Sequence, residues 1–138
     1  MSDSILVDTS AWILSFRETG NPKLKEFLRA AIEIDRVATT NFVILEILQG
    51  CKTAKEYGAL KTRFDALPLF APDEDVWTIA YETGFSLRRK GITAPTVDIL
   101  ICSIAKRNSL ALLHHDEHIR IIARMLGIQA MDYLRSVS

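Results

Sequence analysis

The sequence holds no apolar run near the roughly 20 residues a helix needs to cross a bilayer, so no membrane span is expected. It also lacks a basic segment ahead of its first apolar run, where Asp3 and Asp8 stand instead, and no secretory leader is expected. Cysteine is scarce. Cys51 and Cys102 match no zinc or redox spacing and fall in apolar helical patterns, which predicts buried, reduced thiols in a cytoplasmic protein. Net charge is missing as well: seventeen basic and seventeen acidic residues cancel. No whole-molecule field then draws a polyanion, and a nucleic acid must be held by a local basic patch or by bound cations.

What is present is the composition of a globular domain. Of 138 residues, 49% are apolar and 25% charged, which argues against disorder. The length fits one domain, residues 1–138, burying about two thirds of its unfolded surface. No internal repeat, low-complexity tract or linker interrupts it.

Short apolar runs alternate with helical patterns, predicting parallel βαβ units. The first strand is Ile5–Val7. Thr9 and Ser10 offer caps for a helix to about Arg17, and Asn21-Pro22 opens a second helix ending near Asp35. A strand over 36–39 precedes helices over 41–49, stopped by Gly50, and 54–66. Leu67-Pro68-Leu69-Phe70 reads as an edge strand, because proline cannot donate to a central ladder. Helices over 73–90 and from Pro95 to Arg107 follow. The run 110–113 reads as a buried strand, Asp116 opens a helix to Leu126 that Gly127 stops, 128–130 forms a last strand, and the tail from Met131 forms a helical turn.

Asp8 closes the first strand, where ligands collect in open α/β sheets. Three more acids could meet it. Glu46 lies in Phe42-Val43-Ile44-Leu45-Glu46-Ile47-Leu48, a helix apolar on nearly every side. Asp98 falls in the first turn after Pro95-Thr96, where the helix dipole favours an ionised acid, and Asp116 lies just beyond the strand 110–113. Each also has a purely structural reading: Asp8 and Asp116 as helix caps, Asp98 as a helix-terminal charge, Glu46 as an outward-facing side chain. Together they come to one sheet edge. Two carboxylates roughly 5 Å apart repel by about 3 kcal/mol at an effective dielectric near 20, so four of them call for protons or cations. Oxygen donors without cysteine suit magnesium or manganese, and such ions support phosphodiester hydrolysis.

These residues stand in a recognisable order. Val7-Asp8-Thr9-Ser10-Ala11-Trp12, Thr39-Thr40-Asn41 leading to Leu45-Glu46-Ile47-Leu48-Gln49-Gly50, Pro95-Thr96-Val97-Asp98-Ile99-Leu100-Ile101, and Leu112-Leu113-His114-His115-Asp116 resemble the motifs of the PIN-domain ribonucleases, in particular the VapC toxin branch. The resemblance covers nearly the whole chain. It implies an α/β fold, a three-layer α/β/α sandwich around a mainly parallel sheet, with Asp8, Glu46, Asp98 and Asp116 as the catalytic and metal-binding quartet. It further implies an endoribonuclease using Mg2+ or Mn2+, a cognate antitoxin whose tail occupies the acidic groove, and a homodimer. Asp8 and Asp98 would be the principal ligands, and Thr9 or Ser10 would hydrogen-bond a ligating carboxylate or water, unless they simply cap the helix.

RNA must still be held against an acidic site. Lys52, Lys55, Lys61, Arg63, Arg120 and Arg124 are candidates, and Arg88-Arg89-Lys90, shortly before the Asp98 motif, is preferred for a backbone contact. Trp12 could stack on a base or belong to the core. His114, His115 and His118 raise a second metal possibility, against which stand surface or substrate contacts, with His114 instead orienting Asp116. The rivals to a nuclease are a non-catalytic PIN-like module that binds metal or a basic peptide, and an aspartate-nucleophile phosphatase of the haloacid dehalogenase type. The phosphatase usually wants an aspartate two positions after the first, where this chain has Ser10.

Overall fold

The computed structural model describes residues 4–17 and 20–132. In chain order these form β1 (Ile5–Val7), α1 (Thr9–Phe16), α2 (Pro22–Glu33), β2 (Val37–Ala38), α3 (Asn41–Gln49), α4 (Ala54–Asp65), α5 (Glu74–Arg89), α6 (Thr96–Arg107), β3 (Ala111–His114), α7 (Glu117–Leu126) and β4 (Ala130–Asp132). The strands make one sheet in the order β2-β1-β3-β4, and every pairing is parallel. Leu6 sits between Ala38 and Leu112 in register. Because helices cover both faces, the central strands have no polar side: Ile5, Leu6, Val7, Leu112 and Leu113 are all buried. The architecture is the expected three-layer α/β/α sandwich.

Helix α6 is the most enclosed, with 100–105 buried without interruption as it packs on α5, α7 and β3. Four helices leave by the same device, a left-handed residue that turns the chain back. Gly91 after α5 and Gly127 after α7 adopt it freely, whereas Asp35 after α2 and Ser109 after α6 adopt it with φ of 55° and 54°. In each case the next amide closes the helix end, as Arg36 does on Ala31 and Leu110 on Ala105.

Four expectations shift. The edge strand at 67–70 shrinks to a parallel bridge between Thr39 and Leu69, in which the Thr39 N–H donates to Pro68 O and the Phe70 N–H to Thr39 O. The last strand is Ala130–Asp132 rather than 128–130, because the Ile128 amide is spent on Ala123 O at the end of α7 and cannot join the ladder. Met131 and Asp132 therefore lie in a strand, and the rest of the expected helical turn lies outside the described residues. Cys102 is buried as expected, but Cys51 sits beyond the α3 cap and is partly exposed. Both are free thiols.

Candidate metal centre

The strand order reverses at β1: the chain crosses from β1 to β2 on one side, while β3 lies on the other. Such a reversal opens a crevice beyond the carboxyl ends of the two adjacent strands. Asp8 is the first residue past β1, and Asp116 follows β3 by two. The two acids therefore flank the crevice.

Asp8 is only 3% exposed. An ionised carboxylate so buried needs donors, and the α1 turn supplies them: Asp8 Oδ2 accepts from the Ser10 amide at 3.1 Å and from Ser10 Oγ at 2.5 Å. The Asp8 N–H donates to Leu113 O at 2.9 Å. Ser10 Oγ in turn accepts from the His115 N–H at 2.9 Å, which ties the β1 corner to the loop after β3. Thr9 Oγ1 donates to Glu46 Oε1 at 2.7 Å, bringing α3 to the same corner. The two hydroxyls thus hold carboxylates, while Asp8 itself caps α1.

Asp116 caps α7 by accepting the Ile119 N–H on Oδ1 at 2.9 Å, and its own N–H donates to His114 Nδ1 at 3.2 Å. That bond leaves the His114 proton on Nε2, and burial pushes the ring's pKa down, so His114 is neutral. It orients the Asp116 turn.

Asp98, in the first turn of α6, completes the group. Burial, then the charges of Asp116, Asp8 and Glu46, push its pKa up to about 7, and it shares a hydrogen bond with Asp116. Asp8 is also raised by burial, though its bonds to Ser10 pull the other way. Asp98 therefore feels the charges of the other three acids, and Asp8 feels that of Asp116. Among the described residues, none of the four is in an ion pair with a lysine or arginine. Four oxygen-donor groups with no basic partner are the donor set that a hard divalent cation satisfies.

The other expected site residues fall elsewhere. Trp12 is 6% exposed, edge-on to Phe64 at 5.2 Å and stacked near Phe16 at 6.0 Å, so its ring is core and offers no free face to a base. Arg88, Arg89 and Lys90 are exposed at the end of α5, where the Arg89 guanidinium lies 5.6 Å from the centre of the Phe85 ring. Asp132 was not foreseen: its carboxylate meets His115 Nδ1 at 3.0 Å. No sequence signal marked it, since the ladder that brings it there pairs His114 with Asp132.

Fold and site define an α/β/α domain with a carboxylate cluster at the switch point of a parallel sheet. The family model described as PIN domain matches residues 5–125. The chain belongs to the PIN-domain family, in its VapC ribonuclease branch. It is 31% identical to VapC ribonuclease Mb1587 of Mycobacterium bovis over 132 residues, covering 94% of this chain and 98% of that one. It is 27% identical to ribonuclease VapC18 of Mycobacterium tuberculosis over 125 residues, 88% of each. Among solved structures, DNA-bound VapBC from Salmonella typhimurium superposes with a TM-score of 0.78 at 18% identity, covering 96% of this chain and 99% of that one. VapBC2 from Rickettsia felis, bound to a fragment of its promoter, gives 0.76 at 16% identity, covering 92% and 96%. At these identities the structural likeness speaks for the fold alone.

Proposed function

We infer that the chain is an endoribonuclease that hydrolyses RNA phosphodiester bonds, working as the toxin of a toxin-antitoxin pair in the cytoplasm, with residues 1–138 acting as one domain. The observation that carries the reading is the meeting of Asp8, Glu46, Asp98 and Asp116 at the switch point, fixed by Thr9 and Ser10.

Asp8, Asp98 and Asp116 are the residues we assign to Mg2+ or Mn2+, with Glu46 ligating directly or through water. When bound, the cation supplies the positive charge that activates water and offsets charge developing on the phosphoryl group. The chain does the rest. Ser10 aims Asp8 by donating to Oδ2, Thr9 aims Glu46 by donating to Oε1, and the α7 cap fixes Asp116. Asp98 is hydrogen-bonded to Asp116, and the two side chains would hold the cation together. Arg88, Arg89 and Lys90 are assigned to the RNA backbone, a role their exposure permits.

Two apolar surfaces remain for protein partners. Trp77, Tyr81 and Phe85 recur every four residues along α5 and are 39%, 70% and 65% exposed, a stripe suited to a second copy of the chain. A groove of about 470 Å3 lined by Trp12, Phe16, Ile32, Leu60 and Leu67 suits an apolar segment of the antitoxin.

The test is incubation of the purified chain with defined RNAs in magnesium, manganese or chelator. Cleavage that requires either ion supports the reading. Cleavage unaffected by chelator, or none at any ion concentration, favours the binding-module alternative or contamination.

A further inference from the structure

Two of the three histidines beside the cluster are committed. His114 Nδ1 accepts the Asp116 amide, and His115 Nδ1 is paired with Asp132. Neither ring nitrogen of His118 is hydrogen-bonded among the described residues. His118 is the second residue of α7, the helix that Asp116 caps, so both side chains rise from one fixed turn. Asp98 approaches from α6, which packs against α7. One donor atom from each of Asp98, Asp116 and His118 lies within 4.8 Å of the others. Donors opposite each other on an ion with bonds near 2.1 Å stand about 4.2 Å apart, so small side-chain movements close this set on a single cation. All three residues are partly exposed, which leaves coordination positions for water or a phosphate oxygen.

We propose that His118 is a direct ligand of the cation held by Asp98 and Asp116, and that its nitrogen biases this chain toward first-row transition metals over magnesium. The inference rests on the cluster being a cation site. Magnesium prefers oxygen donors, whereas imidazole favours the transition ions along the series from manganese to copper.

The experiment is calorimetric titration of the RNA-free chain with Co2+ and with Mg2+, together with the visible absorption spectrum of the Co2+ form. Wild type, His118→Ala, His118→Gln and Asp98→Asn are compared, with folding checked by circular dichroism. Loss of the imidazole should weaken Co2+ by about tenfold or more and change its spectrum, while Mg2+ affinity moves by less than about threefold. His118→Gln, which keeps the side-chain bulk, should lose the same Co2+ preference. Unchanged Co2+ affinity and spectrum, or equal weakening for both ions, overturns the assignment. If Asp98→Asn still abolishes binding of both metals in that case, the cluster stands and only the histidine falls. A wild type that binds neither ion, or an Asp98→Asn that binds both normally, removes the cluster and the inference with it.

Discussion

Val7 and Asp8 are neighbours in the chain and both are nearly free of solvent, yet burial acts on them in opposite directions. In the sheet interior, Ile5, Leu6 and Val7 meet Leu112 and Leu113 with no polar atom in their side chains, and every buried methylene adds to stability. One residue later the chain puts a carboxylate into the same shelter, within reach of the charges of Asp98 and Asp116. Here burial and the Asp116 charge disfavour the ionised Asp8, and hydrogen bonds from Ser10 compensate only in part. The contrast assigns the interior to the fold and the strand ends to the ligand. Cost at the edge is tolerated because the interior is stable enough to carry it.

The largest effect that separates the two regions is on activity. Asp98→Asn should reduce metal-dependent RNA cleavage by on the order of 10^3-fold, about 4 kcal/mol of transition-state stabilisation, while the metal-free fold stays at least as stable as wild type. Cleavage rates and urea midpoints measured on one preparation decide this, and equal loss of both would make Asp98 a structural residue. In the interior the pattern reverses. Leu112→Ala should cost roughly 3 kcal/mol in stability, read from the shift in urea midpoint, with the surviving folded fraction still binding metal.

How far these regions were legible in the sequence follows the same division. Asp8 was readable because an acid directly after three apolar strand residues breaks a buried run, and Asp116 because it precedes an amphipathic helix that Gly127 ends. The left-handed exits at Asp35 and Ser109 left no mark, since residues with side chains bear a conformation that glycine normally advertises. The last strand was misplaced by two residues because Ile128 looks apolar enough for a strand, while its amide is needed to close α7. That shift hid the Asp132–His115 pair. Trp12 was ambiguous because an indole beside a site and an indole in the core share one sequence signature, and only its packing on Phe64 distinguishes them.

A finer test concerns the hydroxyl that joins the two corners. Ser10→Ala removes the donor to Asp8 and the acceptor for the His115 amide, so metal affinity should fall by about tenfold, as for other groups that orient a ligand. Unchanged affinity would reduce Ser10 to a turn residue.

The smallest predicted effect is the pH dependence of the metal-free fold. With its pKa raised from 3.8 to about 7, Asp98 in the folded chain keeps a proton that the unfolded chain releases between these values. Stability is therefore greatest near the acidic end of that window and declines as the pH rises through 7, where the folded state must also ionise. Screening of a partly exposed group limits the loss to on the order of 1 kcal/mol. Urea midpoints at pH 5 and pH 8 in chelator should show it, and Asp98→Asn should flatten the slope. A fold that gains stability over the same range would contradict the crowding described for this edge.

The central claim is that the buried carboxylates are held together for a cation. Its most direct test is thermal melting of chelator-treated wild type and Asp8→Asn, each with and without saturating Mn2+. Mn2+ should raise the wild-type melting temperature by roughly 3–6 °C and leave the variant nearly unmoved, since a ligand stabilises only the folded state that binds it. An equal shift in both proteins, or no shift in wild type, would contradict the claim.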